Sequence, residues 1–305
     1  MKRETSMIAL PSESLRGSYP PLVTPFRNGD VDYDTFAELV ELQINEGSHG
    51  IVVGGTTAEP STLTLAERAQ LLEVAVDAAG GRLPIVAAVG AQSYPETVDL
   101  ITQAEVAGAT ALMVVTPYYI KPPQRGLVAY YADLGKRSDL PLLLYNIPAR
   151  TGVNVDLATL LQLADQLPNL VGIKHAAPDL SFVSQALDQL GFDFRIFVGL
   201  EELTFPMLAL GASGMMNAVG NLAPRKVAQL FEEVARGSLE GGRALHYQLL
   251  ELNQAIFFDT NPIPLKYMMK RLGLLPNNEH RLPMVSATPE VETRLDGVLE
   301  RAGLI

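Results

Sequence analysis

Leu170-Val171-Gly172-Ile173-Lys174 decides the reading of this chain. The run has the composition of a short, buried strand, and it ends in a lysine. A lysine amine forms a Schiff base with a carbonyl compound where its surroundings keep it partly deprotonated. On its own, such a lysine is also an ordinary charged residue at a strand end. What surrounds the run is therefore the question. Downstream, 179–190 reads as a helix, Phe194 to Val198 as a strand and 201–210 as a helix. Gly214 to Ala218 then reads as a strand, and 222–236 as a helix with Pro224 near its start.

Upstream the same alternation holds. Tyr19 to Phe26, Gly50 to Gly54, Leu83 to Val89, Ala111 to Val115 and Leu140 to Asn146 read as strands. Helices are expected after each of them. One is capped by Asp32 or Asp34, and the others span 64–79, 95–107, 124–137 and 156–166. Thr64 with Glu67 three residues on has the spacing of a capping box. Eight strand–helix units imply parallel pairing through right-handed crossovers. Over roughly 220 residues they suit an α/β fold of the (β/α)8 TIM-barrel class better than an open sheet. No Gly-x-Gly-x-x-Gly follows the first strand, which argues against a dinucleotide-binding fold. After residue 236 the alternation stops, and 239–258, 264–272 and 288–302 all read as helical. The expected organisation is a flexible N-terminal tail (1–16), a barrel (17–236) and a C-terminal helical extension (237–305).

Composition narrows the function. With 305 residues, 48 % of them apolar, the chain can bury a sizeable core. No apolar run approaches the roughly 20 residues of a membrane span, and residues 1–16 lack the apolar stretch of a secretory signal. Cysteine is absent, which excludes disulfides and thiolate chemistry and fits a reducing cytoplasm. The net charge of −11 argues against nucleic acid or an anionic membrane as partner, so binding of an anionic substrate requires local positive charge. His49, His175, His246 and His280 show no metal-ligand spacing, and no metal is expected.

Barrel enzymes carry their chemistry at the carboxyl ends of the strands. There the sequence places Gly54-Gly55-Thr56-Thr57-Ala58-Glu59-Pro60, Thr116-Pro117-Tyr118-Tyr119, Tyr145-Asn146-Ile147-Pro148-Ala149-Arg150, Lys174, Gly199 and Asn217. Gly55, Thr56 and Thr57 offer backbone N–H groups and two hydroxyls, a cradle for a small carboxylate or simply a capped turn. Tyr145 is suited to proton transfer or to a core position. Arg150 is suited to a second carboxylate or to the surface. Glu59 reads as a general base or, more simply, a turn residue. Met215 and Met216 read as adaptable packing near the pocket. His175 either lines the site or turns away from it.

Read jointly, these motifs resemble the dihydrodipicolinate synthase / N-acetylneuraminate lyase family. Gly55-Thr56-Thr57-x-Glu59, Thr116-Pro117-Tyr118-Tyr119, Tyr145-Asn146-x-Pro148-x-Arg150-Thr151-Gly152 and Gly172-Ile173-Lys174 occur in its order. So do Asn261-Pro262-Ile263-Pro264 and Arg281-Leu282-Pro283-Met284, and the likeness spans 17–304. The resemblance implies a class I aldolase with no cofactor beyond a Schiff base between Lys174 and pyruvate. It implies a homotetramer of tight dimers, with Tyr119 crossing into a neighbour's site. By the same resemblance Thr57, with Thr56 and Gly55, binds the pyruvate carboxylate, Tyr145 shuttles protons through Thr56 to Tyr119, and Gly199 and Met216 line the substrate site. Arg150 resembles the residue that holds the acceptor's distal carboxylate in the synthases, which condense pyruvate with aspartate semialdehyde.

The chain departs from the synthase pattern at Ala58, Pro60, Ile120 and His175. Leu65, Arg68 and Gln92 stand where lysine-inhibited members carry His and Asn, so lysine feedback is expected to be weak or absent. The alternatives are a related pyruvate aldolase or dehydratase acting on a different acidic aldehyde or 2-keto acid, and a non-catalytic binding barrel. The complete set Lys174, Tyr145, Thr56 and Tyr119 argues against the latter.

Overall fold

The structure, a computed structural model, describes residues 7–305. In sheet order its strands run β1 (Gly17–Ser18), β8 (Gly214–Met215), β7 (Arg195–Val198), β6 (Leu170–His175), β5 (Leu142–Asn146), β4 (Ala111–Val115), β3 (Ile85–Ala88) and β2 (Ile51–Val53). From β2 to β8 each strand therefore lies beside its neighbour in the chain and β1 lies beside β8, the order of a (β/α)8 barrel, and a C-terminal helical extension follows. By contacts the chain divides into two compact units. One holds Val86–Met215 with the segment before Gly17, and the other holds Gly17–Ile85 with Met216–Ile305. The extension is thus grouped with the first strand–helix units.

In the first unit the strands β4 to β8 pair in parallel, and nearly every residue in them is buried. Continuous burial is what a parallel sheet covered on both faces requires, and it explains runs such as Leu142-Leu143-Leu144. The helices α3 (Tyr94–Ala107), α4 (Gln124–Leu134), α5 (Leu157–Gln166), α6 (Leu180–Leu190) and α7 (Thr204–Ala209) follow β3 to β7 in turn. Ser93 caps α3 and Asp179 caps α6, each accepting a backbone N–H from the first turn.

The second unit carries α1 (Tyr33–Asn45), α2 (Leu65–Ala79), α8 (Pro224–Ala235) and the extension helices α9 (Leu239–Ala255), α10 (Ile263–Arg271) and α11 (Pro289–Arg301). The expected capping box on α2 is present in both directions, Glu67 N–H to Thr64 Oγ1 and Thr64 N–H to the Glu67 carboxylate. The same carboxylate receives Arg281 from the extension, which holds the Glu67 pKa down to about 2.

Two expectations need correction. The first strand is not continuous over Tyr19 to Phe26. Only Gly17–Ser18 is regular strand, with one bridge from Pro21 to Val52, and Phe26–Arg27 turns back on Asp30–Val31 as a small hairpin. Pro20, Pro21 and Pro25 lack the N–H that a ladder needs. The tail expected over 1–16 is not free in its second half. Ile8 donates to the Pro168 carbonyl, and the buried Arg195 guanidinium donates to the carbonyls of Pro11, Ser12 and Ser14. The rest of that expected tail, residues 1–6, lies outside the described residues. Among the described residues no helix is long and apolar enough to cross a membrane.

Candidate active site

Strand β6 carries Lys174 and its neighbour β5 carries Tyr145, and a register shift sets their relation. Leu142 pairs with Leu170, but Leu143 pairs with Gly172, so one residue of β6 is passed over. Beyond the shift Tyr145 pairs with Lys174 and Asn146 with His175. Residues paired side by side in parallel strands point to the same face, so the two functional side chains share one. Both are almost fully buried, and Lys174 Nζ lies 4.3 Å from the centroid of the Tyr145 ring. The aromatic face thus steadies the amine without consuming it in an ion pair. Two glycines make room. A Cβ on Gly172 would stand 2.2 Å from the Arg195 carbonyl oxygen, and one on Gly199 would stand 3.1 Å from Lys174 Cε.

His175 takes the opposite face of β6. Its ring stacks on Phe182 of α6 at 4.5 Å and an interplanar angle of 4°, and Asn146 Nδ2 donates to its Nδ1 at 3.5 Å. Burial lowers its pKa to about 4, against the smaller opposing effect of Asp179. It is a neutral packing group between strand and helix. Its folded pKa lies below the unfolded value of 6.5, so the unfolded state takes up more protons between these values. Stability from this residue is complete above about pH 6.5 and falls away toward pH 4. His175→Leu is expected to flatten that part of the stability-versus-pH curve, by about 3 kcal/mol, and to leave turnover within a few-fold. Urea unfolding at pH 7 and pH 4 checks this, and an unchanged pH slope contradicts it.

The loop after β5 is built as a single turn, Pro148–Thr151, closed by Gly152 at φ 67°. Thr116, just past β4, donates to Thr151 Oγ1, and the Thr151 hydroxyl shares its one proton between the Ile147 and Val153 carbonyls. Asn146 binds Asn154 and Val155 on the return. Arg150 is exposed on this pinned turn. Tyr119 lies in a turn of its own. The N–H of Ile120 donates to the Tyr118 carbonyl, and Tyr119 at the centre has φ 73°, a strained γ-turn for a residue with a side chain. It is 82 % exposed, and Ile120 beside it is 67 % exposed.

In the second unit, Thr56–Ala58 forms a 3-10 turn two residues after β2, entered through Gly55. Thr57 is buried, and its hydroxyl oxygen accepts from Asn261 Nδ2 at 3.1 Å, which leaves the hydroxyl proton to donate elsewhere. Glu59, one of the alternatives for a general base, instead ends the turn with its carboxylate buried against Lys266 and His280. Met216 is buried in this unit. Lys266, His280 and the role of Asn261 are not marked in the sequence. The one signal near them is the Asn261-Pro262-Ile263-Pro264 motif of the family resemblance.

The sequence model of the Dihydrodipicolinate synthetase family matches residues 14–302. The chain is 48 % identical over 291 residues to a 4-hydroxy-tetrahydrodipicolinate synthase of Thermus thermophilus, covering 95 % of this chain and 97 % of that protein. The crystal structure of dihydrodipicolinate synthase from Aquifex aeolicus superposes with a TM-score of 0.93 at 38 % identity, over 95 % of this chain and 98 % of that one. The corresponding Thermotoga maritima structure gives 0.92 at 37 % identity, over 95 % and 99 %.

Proposed function

Because the chain belongs to the dihydrodipicolinate synthetase family, we propose that it is a lyase of the class I aldolase type that condenses pyruvate with aspartate semialdehyde through a Schiff base on Lys174. The observation that carries this reading is the buried Lys174 amine held over the Tyr145 ring, free of any carboxylate partner among the described contacts. The Lys174 nitrogen attacks the pyruvate ketone carbon, and the carbinolamine loses water to give an iminium. The iminium withdraws electrons, so the methyl group releases a proton and becomes an enamine carbon. That carbon bonds to the aldehyde carbon, whose oxygen takes up the proton. The acceptor's α-amino group then adds to the iminium carbon and closes a ring, its proton passes to the Lys174 nitrogen, and the bond between that nitrogen and the product carbon breaks to return the amine.

In this reading Tyr145 moves the protons, in series with Thr56 and Tyr119. Gly55, Thr56 and Thr57 bind the pyruvate carboxylate, and Gly199 and Met216 shape the site around the adduct. The exposed, strained Tyr119 turn supports a role completed by a second copy of the chain, as a homotetramer of tight dimers supplies.

Borohydride with pyruvate should add mass at Lys174, and an unmodified lysine sinks the proposal. Arg150→Ala is expected to raise KM for the acidic aldehyde roughly tenfold to a hundredfold, the value of one charged contact of about 1.5–3 kcal/mol, with pyruvate KM unchanged. Steady-state kinetics against a panel of aldehydes reads both points. If aspartate semialdehyde is turned over no better than other acceptors, the synthase assignment gives way to a different acidic aldehyde or keto acid.

A further inference from the structure

Lys266 is a lysine with no exposed surface, on α10 of the extension. All three of its donor positions are used, to the Thr24 carbonyl at 3.0 Å, to Glu59 Oε1 at 3.0 Å and to the Glu279 carbonyl. Its Nζ also lies 4.4 Å from the Phe26 ring centroid. The other Glu59 oxygen meets His280 Nδ1 at 3.0 Å. One carboxylate is thus gripped at both oxygens by two residues of the extension, and Lys266 is gripped in turn.

What Glu59 anchors is the end of the Gly55–Glu59 loop. Glu59 has φ 56°, a left-handed conformation that a residue with a Cβ keeps only when its surroundings impose it. The two residues before it are tied as well. Thr24 Oγ1 donates to the Ala58 carbonyl at 2.7 Å, and Asn261 Nδ2 donates to Thr57 Oγ1 at 3.1 Å. The gripping segment is itself braced. Glu279 receives the N–H groups of Asn28 and Gly29, Asn277 donates to the Phe26 carbonyl, and Arg281 binds Glu67 and the Thr62 carbonyl.

A buried ion pair contributes little net stability compared with apolar residues of the same size, so its presence here calls for another reason. We propose that Lys266 is a positioning residue, whose contact with Glu59, together with His280 and Asn261, holds the Gly55–Glu59 loop in the geometry that receives the substrate carboxylate. The helical extension then sets affinity for the donor substrate. This rests on the assignment of Thr56 and Thr57 to the pyruvate carboxylate. Loop placement matters because an error near 1 Å in a substrate-orienting group costs on the order of a hundredfold.

The test compares the full-length parent with E59Q/K266M, which removes both charges together, and with His280→Phe, which keeps the ion pair but frees one carboxylate oxygen. Thermal unfolding, kcat, KM for each substrate and the pyruvate concentration for half-maximal borohydride trapping are measured for all three. Expected for E59Q/K266M is a pyruvate KM raised about tenfold or more and a lower kcat through the shared Thr56, with the aldehyde KM within about threefold. For His280→Phe a smaller rise of the same kind is expected. A folded variant of either kind with parental pyruvate KM and half-saturation overturns the proposal and leaves Lys266 as packing alone. A parent that pyruvate and borohydride do not modify overturns the Schiff-base reading, and the positioning role with it.

Discussion

Lys174→Ala is expected to lose turnover by roughly 10⁴-fold or more, and with it all borohydride trapping by pyruvate. Two other lysines among the described residues are engaged elsewhere. Lys266 spends its three donor positions on two carbonyls and a carboxylate in the interior. Lys121 lies along Gly152, where a Cβ would stand 2.7 Å from its Cε. Lys174→Arg should be as inactive as the alanine variant, because a guanidinium stays protonated and supplies no nucleophile, although it keeps the positive charge. The arginine variant therefore separates nucleophilic from electrostatic roles. Turnover and intact-mass analysis of both variants after reduction with pyruvate check this. Appreciable activity in Lys174→Arg would show that only a charge is needed there.

Tyr145→Phe should lower kcat by roughly 10²- to 10⁴-fold, the span of a general acid–base group. The substitution is chosen for what it leaves in place. Nζ lies over the ring, not against the hydroxyl, so the phenyl group still steadies the amine. The strand pairing of Tyr145 with Lys174 is backbone and is unaffected. Pyruvate should consequently still be trapped on Lys174, more slowly, while overall turnover falls. Stopped-flow trapping alongside steady-state assays distinguishes the two steps. If turnover stays within a few-fold of the parent, the proton shuttle lies elsewhere.

Much of this architecture was legible in the residues. The alternation of short apolar runs with amphipathic segments marked all eight strands, because continuous burial in a parallel sheet demands uninterrupted apolar residues. Caps at Asp32, Thr64 and Asp179 mark helix starts through a side-chain oxygen facing the first-turn N–H groups, which is local chemistry. The apolar run Tyr19 to Phe26 is longer than the strand it forms, since three prolines that look apolar cannot donate to a ladder. Residues 7–16 read as loose because what restrains them is remote. Their carbonyls accept from Arg195, some 180 residues away, and a carbonyl acceptor leaves no trace in side-chain identity.

The sequence by itself determined the strand–helix alternation, the lysine at a strand end and the hydroxyl-rich, glycine-entered loop, because each depends on residues close together in the chain. Tertiary structure alone decided two further things. One is the register shift between Leu142 and Leu143, which aligns Tyr145 with Lys174 in place of Ile173. Side chains alternate along a strand, so a slip of one residue reverses every face, and the apolar residues on both strands accept either register. The other is the grip of Lys266 on Glu59 across 207 residues of sequence. In the sequence Glu59 reads as a general base or a turn residue, and nothing near Lys266 marks it as buried. Only the fold, by removing water from both, makes each the partner the other requires.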